Sequence, residues 1–326
     1  MPQLNMVQAI NRALDWEMEM DERVVLLGED IGKNGGVFRV TEGLWEKHGD
    51  RRVMDTPLAE SGIVGVAIGM AVFGLRPVAE IQFSGFLHPA FDQLISHAGR
   101  IRNRSRGRFS APLVVRAPCG GGIRAPEHHS ESYEAALIHT PGIKVVMPSS
   151  PYDAKGLLVS SIRDPDPVVF FEPTRIYRSI KQDVPEEPYS IPLGKAAKIK
   201  EGNDVTVISW GAMVRTAAEP AVEQAEKEGI SCELIDMRTL SPYDGEAVLD
   251  SVKKTGRAVI VQEAPRTCGF AGEVAAFIQE NAILNLEAPV KRVTGYDTVM
   301  PLYKLEGYYL PSTKRVLEAI RETARF

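Results

Sequence analysis

The sequence is short of cysteine, of net positive charge and of long apolar runs, and each shortage excludes a class of protein. Three cysteines occur among 326 residues, and their odd number and wide spacing predict reduced thiols in a cytoplasmic protein rather than a disulfide framework. The formal net charge of −5 argues against nucleic acid or an anionic membrane surface as a partner. No apolar run reaches membrane-spanning length, because Arg76 ends the longest one.

The length and the hydrophobic pattern predict two domains of the α/β class. A chain of 326 residues exceeds what one ordinary core supports. Strand patterns alternate with helix patterns on both sides of a proline-rich change of texture between Glu172 and Pro192. We therefore predict a first domain over residues 1–180, a linker over 181–196 and a second domain over 197–326. Each domain is expected to hold a mostly parallel sheet flanked by helices.

The segment Asp55–Gly62 is typical of a strand end, a turn and a helix start. Thr56 suits the N-cap and Pro57 the first helical position, which puts Glu60 in the first turn. The residues behind Glu60 are apolar on every side until Arg76, which predicts a buried helix. Glu60 either caps its own helix or is a carboxylate that needs a partner at an apolar position.

Glycines recur inside this predicted helix at Gly62, Gly65 and Gly69. They do not form a dinucleotide-binding fingerprint, because the spacing is wrong and because they follow the helix start instead of preceding it. Small residues at this spacing allow another helix to approach closely, and that helix could belong to another subunit.

Two strand ends in the first domain carry further candidate residues. Glu29 follows the continuous apolar run Val24–Gly28, which predicts a strand buried on both faces. Gln82 lies near the end of another predicted strand, residues 77–83, and Phe86 lies in the turn between that strand and a helix predicted over residues 89–101. Open α/β sheets bind ligands at such strand ends.

A glycine-rich loop, Gly120–Gly122, leads to the adjacent histidines His128 and His129. Neighbouring histidines seldom bind one metal ion together, and no third ligand has a suitable spacing. No Lys-Ser/Thr pair follows the glycines, as a phosphate-binding P-loop requires. His129 alone suits either a hydrogen-bonded helix cap or catalysis.

Taken together, these motifs resemble one family over essentially the whole chain: the beta subunits of the decarboxylating component of 2-oxoacid dehydrogenase complexes, of the pyruvate or branched-chain type. This family is transketolase-like and depends on thiamine diphosphate. The motifs that carry the resemblance, in order and at the family's spacing, are Gly28–Asp30, Gly35–Phe38, Asp55–Glu60, Glu80–Phe83, His129–Ser132 and Pro151–Leu158.

The resemblance implies a pyrimidine-binding domain, then a transketolase C-terminal domain, and a role for each candidate. Glu60 is expected to bond the ring nitrogen of the aminopyrimidine, and Phe86 to stack on that ring. His129 is expected to manage protons while the acyl group passes to a lipoyl arm. Other positions expected to line the cofactor pocket are Glu29, Leu58 and Gln82.

The chain lacks the Gly-Asp-Gly motif with which such enzymes bind the cofactor's diphosphate through Mg²⁺. Gly49-Asp50 continues to Arg51, and Asp244-Gly245 has a tyrosine before it. The resemblance therefore implies an alpha subunit that supplies this half of the site and its Mg²⁺, in an α2β2 heterotetramer. It also implies a lipoyl transacylase core as partner and a structural potassium ion near Leu113, Ser161, Asp164 and Asp166.

The leading functional hypothesis is oxidative decarboxylation of a small 2-oxoacid with acyl transfer to lipoamide. Pyruvate is the first choice, and branched-chain 2-oxoacids or acetoin are the alternatives, because one pocket substituent shifts selectivity by only about 1–3 kcal/mol. A catalytically silent assembly subunit is a second hypothesis. A nicotinamide oxidoreductase is a third, but the chain lacks the fingerprint for it.

Overall fold

The structure, a computed structural model, describes all of residues 1–326. Its strands are β1 (Gln3–Leu4), β2 (Val24–Gly28), β3 (Val53–Asp55), β4 (Arg76–Glu80), β5 (Val114–Cys119), β6 (Lys144–Val146), β7 (Val168–Pro173), β8 (Gln182–Asp183), β9 (Ala197–Lys200), β10 (Val205–Ser209), β11 (Cys232–Asp236), β12 (Thr239–Ser241), β13 (Ala258–Val261) and β14 (Lys291–Val293).

The α-helices lie between these strands. They are α1 (Met6–Met20), α2 (Leu44–His48), α3 (Glu60–Val72), α4 (Ile101–Arg104), α5 (Glu134–Ile138), α6 (Pro151–Arg163), α7 (Glu219–Lys227), α8 (Gly245–Thr255), α9 (Phe270–Ala282), α10 (Glu306–Tyr309) and α11 (Thr313–Ala324). None of them combines the length and the apolar character that crossing a bilayer requires.

Two sheets organise the chain, as the alternating pattern predicts. The first has the strand order β12-β6-β7-β5-β4-β2-β3 and is parallel except for β12, which is antiparallel to β6. The second has the order β14-β13-β10-β11-β9 and is parallel except for β9. The α/β prediction with mostly parallel sheets is therefore confirmed. The sequence pattern did not predict the strands β1, β8, β9 and β12.

The two sheets share their apolar surroundings. Each of the two large clusters of buried apolar side chains contains residues from both halves of the chain, such as Leu14 with Ile320 in one and Leu94 with Ile278 in the other. Strand β12 comes from the second half but completes the first sheet. At the other end, β1 pairs with β8, so the start of the chain is tied to the segment between the sheets.

Helix α3 begins later than the sequence predicts, so the assignment of Thr56 as N-cap and Pro57 as first helical residue is wrong. The first helical residue is Glu60, and Ala59 precedes it without a side-chain cap. The physical reason is strand pairing: the Thr56 N–H donates to the Gly28 carbonyl at 3.0 Å, which keeps the chain extended past β3.

The prediction that α3 is buried on every side is also wrong. One face is covered, by Ile63, Val64 and Ala67 among others. The opposite face is exposed in this chain and carries Gly62, Val66, Gly69 and, just beyond the helix, Phe73, which is 93% exposed. We call these four residues the open face of α3. An apolar stripe of this kind marks a surface that binds another chain more often than one that faces water.

Two further boundaries differ from the sequence-based expectation. The helix predicted over residues 89–101 is a succession of 3₁₀, π and short α turns, because Pro89 lies inside the first of them and cannot donate a helical hydrogen bond. The change of texture at Glu172 is not the start of a linker. Glu172 lies in β7 and is fully buried, where it pairs with Arg116.

Candidate active site

The candidate residues follow strands whose carboxyl ends share one edge of the first sheet. Gly28 of β2 pairs in register with Asp55 on one side and with Glu80 on the other. Glu29 therefore leaves the sheet beside the extended segment that leads to Glu60. This is the edge at which open parallel sheets bind their ligands.

The side chain of Glu60 is half-buried, and its carboxylate makes no hydrogen bond within the chain. It provides no side-chain cap, although the first turn of α3 is a favourable place for its negative charge. Its helix packs against the turn Ser84–Ala90, which carries Phe86. Beside it, Leu58 is 70% exposed, and the Thr56 hydroxyl is buried without a partner. The Glu60 carboxylate and the Thr56 hydroxyl therefore both lack a hydrogen-bond partner within the chain.

Glu29 is half-buried on the neighbouring strand end. Burial, with the nearby charges of Asp30 and Glu60, raises the pKa of the Glu29 carboxyl. The next turn is fixed by Asp55, whose carboxylate accepts the Gly32 N–H at 2.6 Å. The two glutamates are thus close enough for their charges to interact.

Aromatic rings meet over the same edge. The His129 ring lies 4.3 Å from the Phe83 ring and 5.1 Å from the Phe86 ring, centroid to centroid. Phe38 packs edge-on against Phe83 at 5.4 Å. Phe86 is half-buried, as is Gln82, whose side chain makes no hydrogen bond. The cluster presents an aromatic surface on which a planar ring can stack.

His129 is held by its backbone surroundings and is not a helix cap, because α5 begins only at Glu134. Its Nδ1 lies 2.8 Å from the Glu127 carbonyl oxygen. A carbonyl only accepts, so Nδ1 carries the hydrogen and the lone pair of the neutral ring is on Nε2. The far end of the loop is fastened by the Ser84 hydroxyl, which donates to the Glu131 carbonyl at 2.6 Å.

A buried ionic network lies inside this edge. The Arg116 guanidinium donates twice to Glu172, at 2.6 and 3.0 Å, and once to Glu80 at 2.7 Å. The Tyr177 hydroxyl donates to Glu172 at 2.5 Å. Burial raises the pKa of the Glu80 carboxyl, an effect that Arg116 offsets only in part. The network ties together the carboxyl ends of β4, β5 and β7, and β4 and β5 lead to Phe86 and His129.

No group of three or more histidine, cysteine, aspartate or glutamate side chains is arranged to hold a metal ion. At the expected potassium position, the Asp164 carboxylate already accepts the Lys144 ammonium at 2.6 and 2.7 Å. Asp166 pairs with Arg102 at 2.7 Å. Both acidic side chains are therefore satisfied by cations of the chain itself.

The other two expected potassium ligands are also engaged in the fold. The Ser161 hydroxyl donates to the Leu157 carbonyl at 2.7 Å, one turn back in α6. The Leu113 carbonyl accepts the Val168 N–H at 3.0 Å. A potassium ion here has to be bound mainly by main-chain carbonyl oxygens, which keep a second lone pair.

Comparison with known proteins identifies the family. The model described as transketolase, pyrimidine binding domain, matches residues 2–179, and that described as transketolase, C-terminal domain, matches residues 194–316. Pyruvate dehydrogenase E1 component beta subunits of Acholeplasma laidlawii, Staphylococcus epidermidis and Bacillus subtilis are 54%, 53% and 52% identical to the chain. The alignments cover 99% of this chain and 98% of the first relative, and all of both chains for the other two. The chain belongs to the pyruvate dehydrogenase E1 beta-subunit family.

A solved structure of a split-gene transketolase, an inactive beta4 tetramer, has the same fold as this E1 beta-family chain. The two superpose with a TM-score of 0.79 over 99% of each chain, at 23% sequence identity. At that identity the likeness concerns the fold alone.

The residues of this E1 beta-family chain fit one half of a thiamine diphosphate site. A free carboxylate, an unpartnered buried hydroxyl and a half-buried aromatic surface suit an aminopyrimidine ring, which offers nitrogen donors and acceptors and a flat face. A diphosphate needs a divalent metal or a cradle of N–H groups and cations. The chain itself has no cluster of three or more histidine, cysteine, aspartate or glutamate side chains that could hold such a metal.

Several residues that shape the site of this E1 beta-family chain are not among the candidates that the sequence pattern selects. Phe83, whose ring lies nearest to that of His129, stands in the sequence only as part of the motif Glu80–Phe83. The pattern predicts a strand position for Arg116 and the start of the proline-rich stretch for Glu172, and a site role for neither. A signal for both was present, because an arginine or a glutamate inside a continuous apolar strand needs a buried partner.

Proposed function

We propose that this chain is the catalytic beta subunit of a pyruvate dehydrogenase E1 component, which decarboxylates pyruvate and reductively acylates lipoamide. The full-length identity of 52–54% to pyruvate dehydrogenase E1 beta subunits supports pyruvate as the substrate. The observation that carries a catalytic role is the free Glu60 carboxylate beside an aromatic cluster that includes His129. Thiamine diphosphate, when bound, supplies the electron sink that a 2-oxoacid decarboxylation needs.

In this proposal, the residues around Glu60 bind and orient the pyrimidine end of the cofactor. Glu60 holds a proton at the ring nitrogen and Phe86 stacks on the ring face. Leu58 and Gln82 line the pocket, and Glu29 adds a second carboxyl whose raised pKa favours its protonated form near the first. Full desolvation of Glu60 depends on a partner chain, because its neighbour Leu58 is exposed here.

His129 has the geometry of a proton carrier. With Nδ1 donating to the Glu127 carbonyl, Nε2 is available to accept a proton and return it. Two aromatic contacts limit rotation of the ring. We assign it to proton transfer during delivery of the acyl group to a lipoyl arm.

Membership of the E1 beta family implies an alpha partner, and we propose that the two form an α2β2 heterotetramer. The alpha subunit brings the diphosphate-binding half with its Mg²⁺, and a lipoyl transacylase core is the further partner. The open face of α3 supports this assembly, because its glycines and apolar side chains suit a closely packed helix. We retain potassium binding near Leu113, Ser161, Asp164 and Asp166 as a prediction.

Two further predictions belong to this proposal. The domain limits are residues 1–180 and 197–326 with a linker over 181–196, and the family matches at residues 2–179 and 194–316 support that division. A cytoplasmic location agrees with three cysteines that are all unpaired.

The decisive experiment is Glu60→Gln in the heterotetramer reconstituted with the alpha subunit. Decarboxylation should fall by a factor of about 10²–10⁴, because a glutamine amide can donate a hydrogen bond to the ring nitrogen but cannot transfer a proton to it. Glu46→Gln, on the exposed side of the short helix α2, is the matched control and should keep full turnover. An assembled Glu60→Gln enzyme with unchanged turnover would mean that this chain serves assembly only.

The substrate is tested separately. Initial rates of the reconstituted enzyme with pyruvate and with 3-methyl-2-oxobutanoate give the ratio of kcat/KM for the two acids. We expect the ratio to favour pyruvate. A ratio that favours the branched acid would assign the chain to the branched-chain type while leaving the role of Glu60 intact.

A further inference from the structure

Two carboxylates of the second half of the chain bind the glycine-rich loop that leads to His129. Glu263 accepts the Gly121 N–H at 2.5 Å. Glu306 accepts the N–H groups of Gly122 and Arg124, the latter at 3.0 Å. Three N–H groups within four residues of one loop therefore point at two side chains more than 140 residues away. We call Glu263 and Glu306 the carboxylate clamp.

The carboxylate clamp is built into the core and is not a chance surface contact. Glu263 follows β13 and is 8% exposed, and Glu306 begins α10 and is 4% exposed. Neither forms a salt bridge, so the loop N–H groups supply the hydrogen bonds that a buried carboxylate requires.

The loop is shaped to receive the carboxylate clamp. Gly120, Gly122 and Arg124 all have positive φ angles, of 79°, 96° and 56°, and these turns of the backbone direct the N–H groups of the loop toward the two carboxylates. A Cβ at Gly121 would lie 2.9 Å from Glu306 Oε1, so the approach requires glycine there. At its far end the loop returns, because the Gly120 N–H donates to the Glu131 carbonyl at 3.0 Å. His129 lies within this closed loop.

We propose that Glu263 and Glu306 are positioning residues that hold the His129 loop in its active arrangement from the second half of the chain. The clamp acts on the backbone of the loop, and the loop sets the position of His129 over Phe83 and Phe86. The inference rests on the proposed role of His129 in acyl transfer and adds two residues that are not among the proposed cofactor-binding residues.

Hydrogen–deuterium exchange of the full chain tests the contact itself. Glu306→Ala removes both acceptors of the Gly122 and Arg124 N–H groups, and Glu306→Gln keeps one oxygen. Exchange in peptides covering residues 119–132 should be faster by about tenfold or more in the alanine variant and by less in the glutamine variant. Glu263→Ala should act on the same peptides through Gly121, because it removes the acceptor of that N–H group. Glu318→Ala, on the exposed face of α11, is the matched control and should change nothing there.

Two partial reactions of the reconstituted heterotetramer test the consequence. Decarboxylation is followed with an artificial electron acceptor, and reductive acylation with free lipoamide. Loosening of the loop should slow acylation by up to about 10²-fold, the effect of a small misplacement of a catalytic group. Decarboxylation should stay within the range of the Glu318→Ala control. A merely structural role would instead lower both rates together with the melting temperature.

The proposal fails if loop exchange in Glu306→Ala equals that of the control, or if both partial reactions fall in parallel. Glu263→Ala, which removes only the Gly121 contact, keeps the test available if Glu306→Ala does not fold. His129→Ala separates this proposal from the proposed function. If that variant acylates lipoamide normally, the role of His129 is wrong, whereas the exchange data still decide whether the clamp holds the loop.

Discussion

The imidazole ring of His129 lies against the ring of Phe83, with 4.3 Å between centroids and an interplanar angle of 57°. Phe83 itself is only 8% exposed, so the histidine rests on a fixed surface. With Nδ1 bonded to the Glu127 carbonyl, Nε2 is the ring nitrogen that has no hydrogen-bond partner within the chain.

His129→Ala should lower reductive acylation of lipoamide by about 10²–10⁴-fold in the reconstituted enzyme, the usual contribution of a general acid or base. The adjacent His128 offers a matched control, because it is exposed and has a φ of +67°, a conformation that asparagine also accepts. His128→Asn should keep normal rates. Equal losses in both variants would indicate a general effect on the loop and not proton transfer by His129.

Gly69→Leu should have opposite effects on the lone chain and on the assembly. A Cβ at Gly69 meets nothing within 4 Å, and leucine gains about 1 kcal/mol over glycine in a helix, so the lone chain should not be destabilised. If a partner helix packs on the open face of α3, the larger side chain should prevent its close approach. Thermal unfolding and sedimentation velocity with the alpha subunit measure the two effects.

The control for Gly69→Leu is Glu223→Leu, which adds a leucine to the exposed face of α7. It should leave the sedimentation of the mixture unchanged. A Gly69→Leu chain that forms the heterotetramer as readily as this control would place the alpha subunit elsewhere.

Arg116→Leu should reduce the free energy of unfolding by about 3–5 kcal/mol, because it leaves Glu80 and Glu172 as buried carboxylates without a cation. Urea unfolding followed by circular dichroism measures the change. The exposed pair of Arg321 with Glu228 is the comparison, and Arg321→Leu should have a much smaller effect. Similar losses in the two variants would mean that the buried network adds little to stability.

Glu263 should make stability depend on pH. Burial, with the nearby charges of Glu134 and Glu306 and despite the Gly121 N–H and Arg175, raises the pKa of Glu263 from 4.5 to about 7. Between pH 4.5 and about pH 7, Glu263 is protonated in the folded chain and ionised in the unfolded chain. Stability from this group is therefore greatest below about pH 4.5 and falls by about 3 kcal/mol as the pH rises through 7.

In Glu263→Gln this side chain cannot titrate, so the stability of the variant should lose the pH dependence that Glu263 causes. The melting temperature of the variant, relative to that of the wild type, should rise as the pH increases from 5 to 8. Glu273 is exposed in the first turn of α9, and the melting temperature of Glu273→Gln should change with pH in parallel with that of the wild type. If the melting temperatures of Glu263→Gln and of the wild type change with pH in parallel, the raised pKa of Glu263 is contradicted.

Much of the fold follows from local pattern. The amphipathic period of residues 6–20, with Asn5 as its cap, coincides with helix α1, and the unbroken apolar run of residues 24–28 coincides with strand β2. The family could also be predicted, because its motifs are local in the chain and keep their order.

Other features depended on partners distant in sequence. Helix α3 starts at Glu60 and not at Thr56, because the Gly28 carbonyl, 28 residues away, accepts the Thr56 N–H and extends the strand. Helix-capping rules consider only residues near the helix start, so they do not include this strand-pairing hydrogen bond. Strand β12 joins the first sheet although it lies in the second half of the chain, since only the folded chain brings it beside β6.

Some features of the candidate site likewise follow from the sequence, and others depend on contacts that only the folded chain makes. Residue type and order were enough to select Glu60, Phe86 and His129, since their chemistry belongs to the side chains themselves. The tertiary structure alone decided how they are held, by the Phe83 ring, the Arg116 network and the clamp formed by Glu263 and Glu306. Hydrogen bonds and ring contacts depend on distances of a few ångströms between residues far apart in sequence, and those distances exist only after the two sheets have packed together.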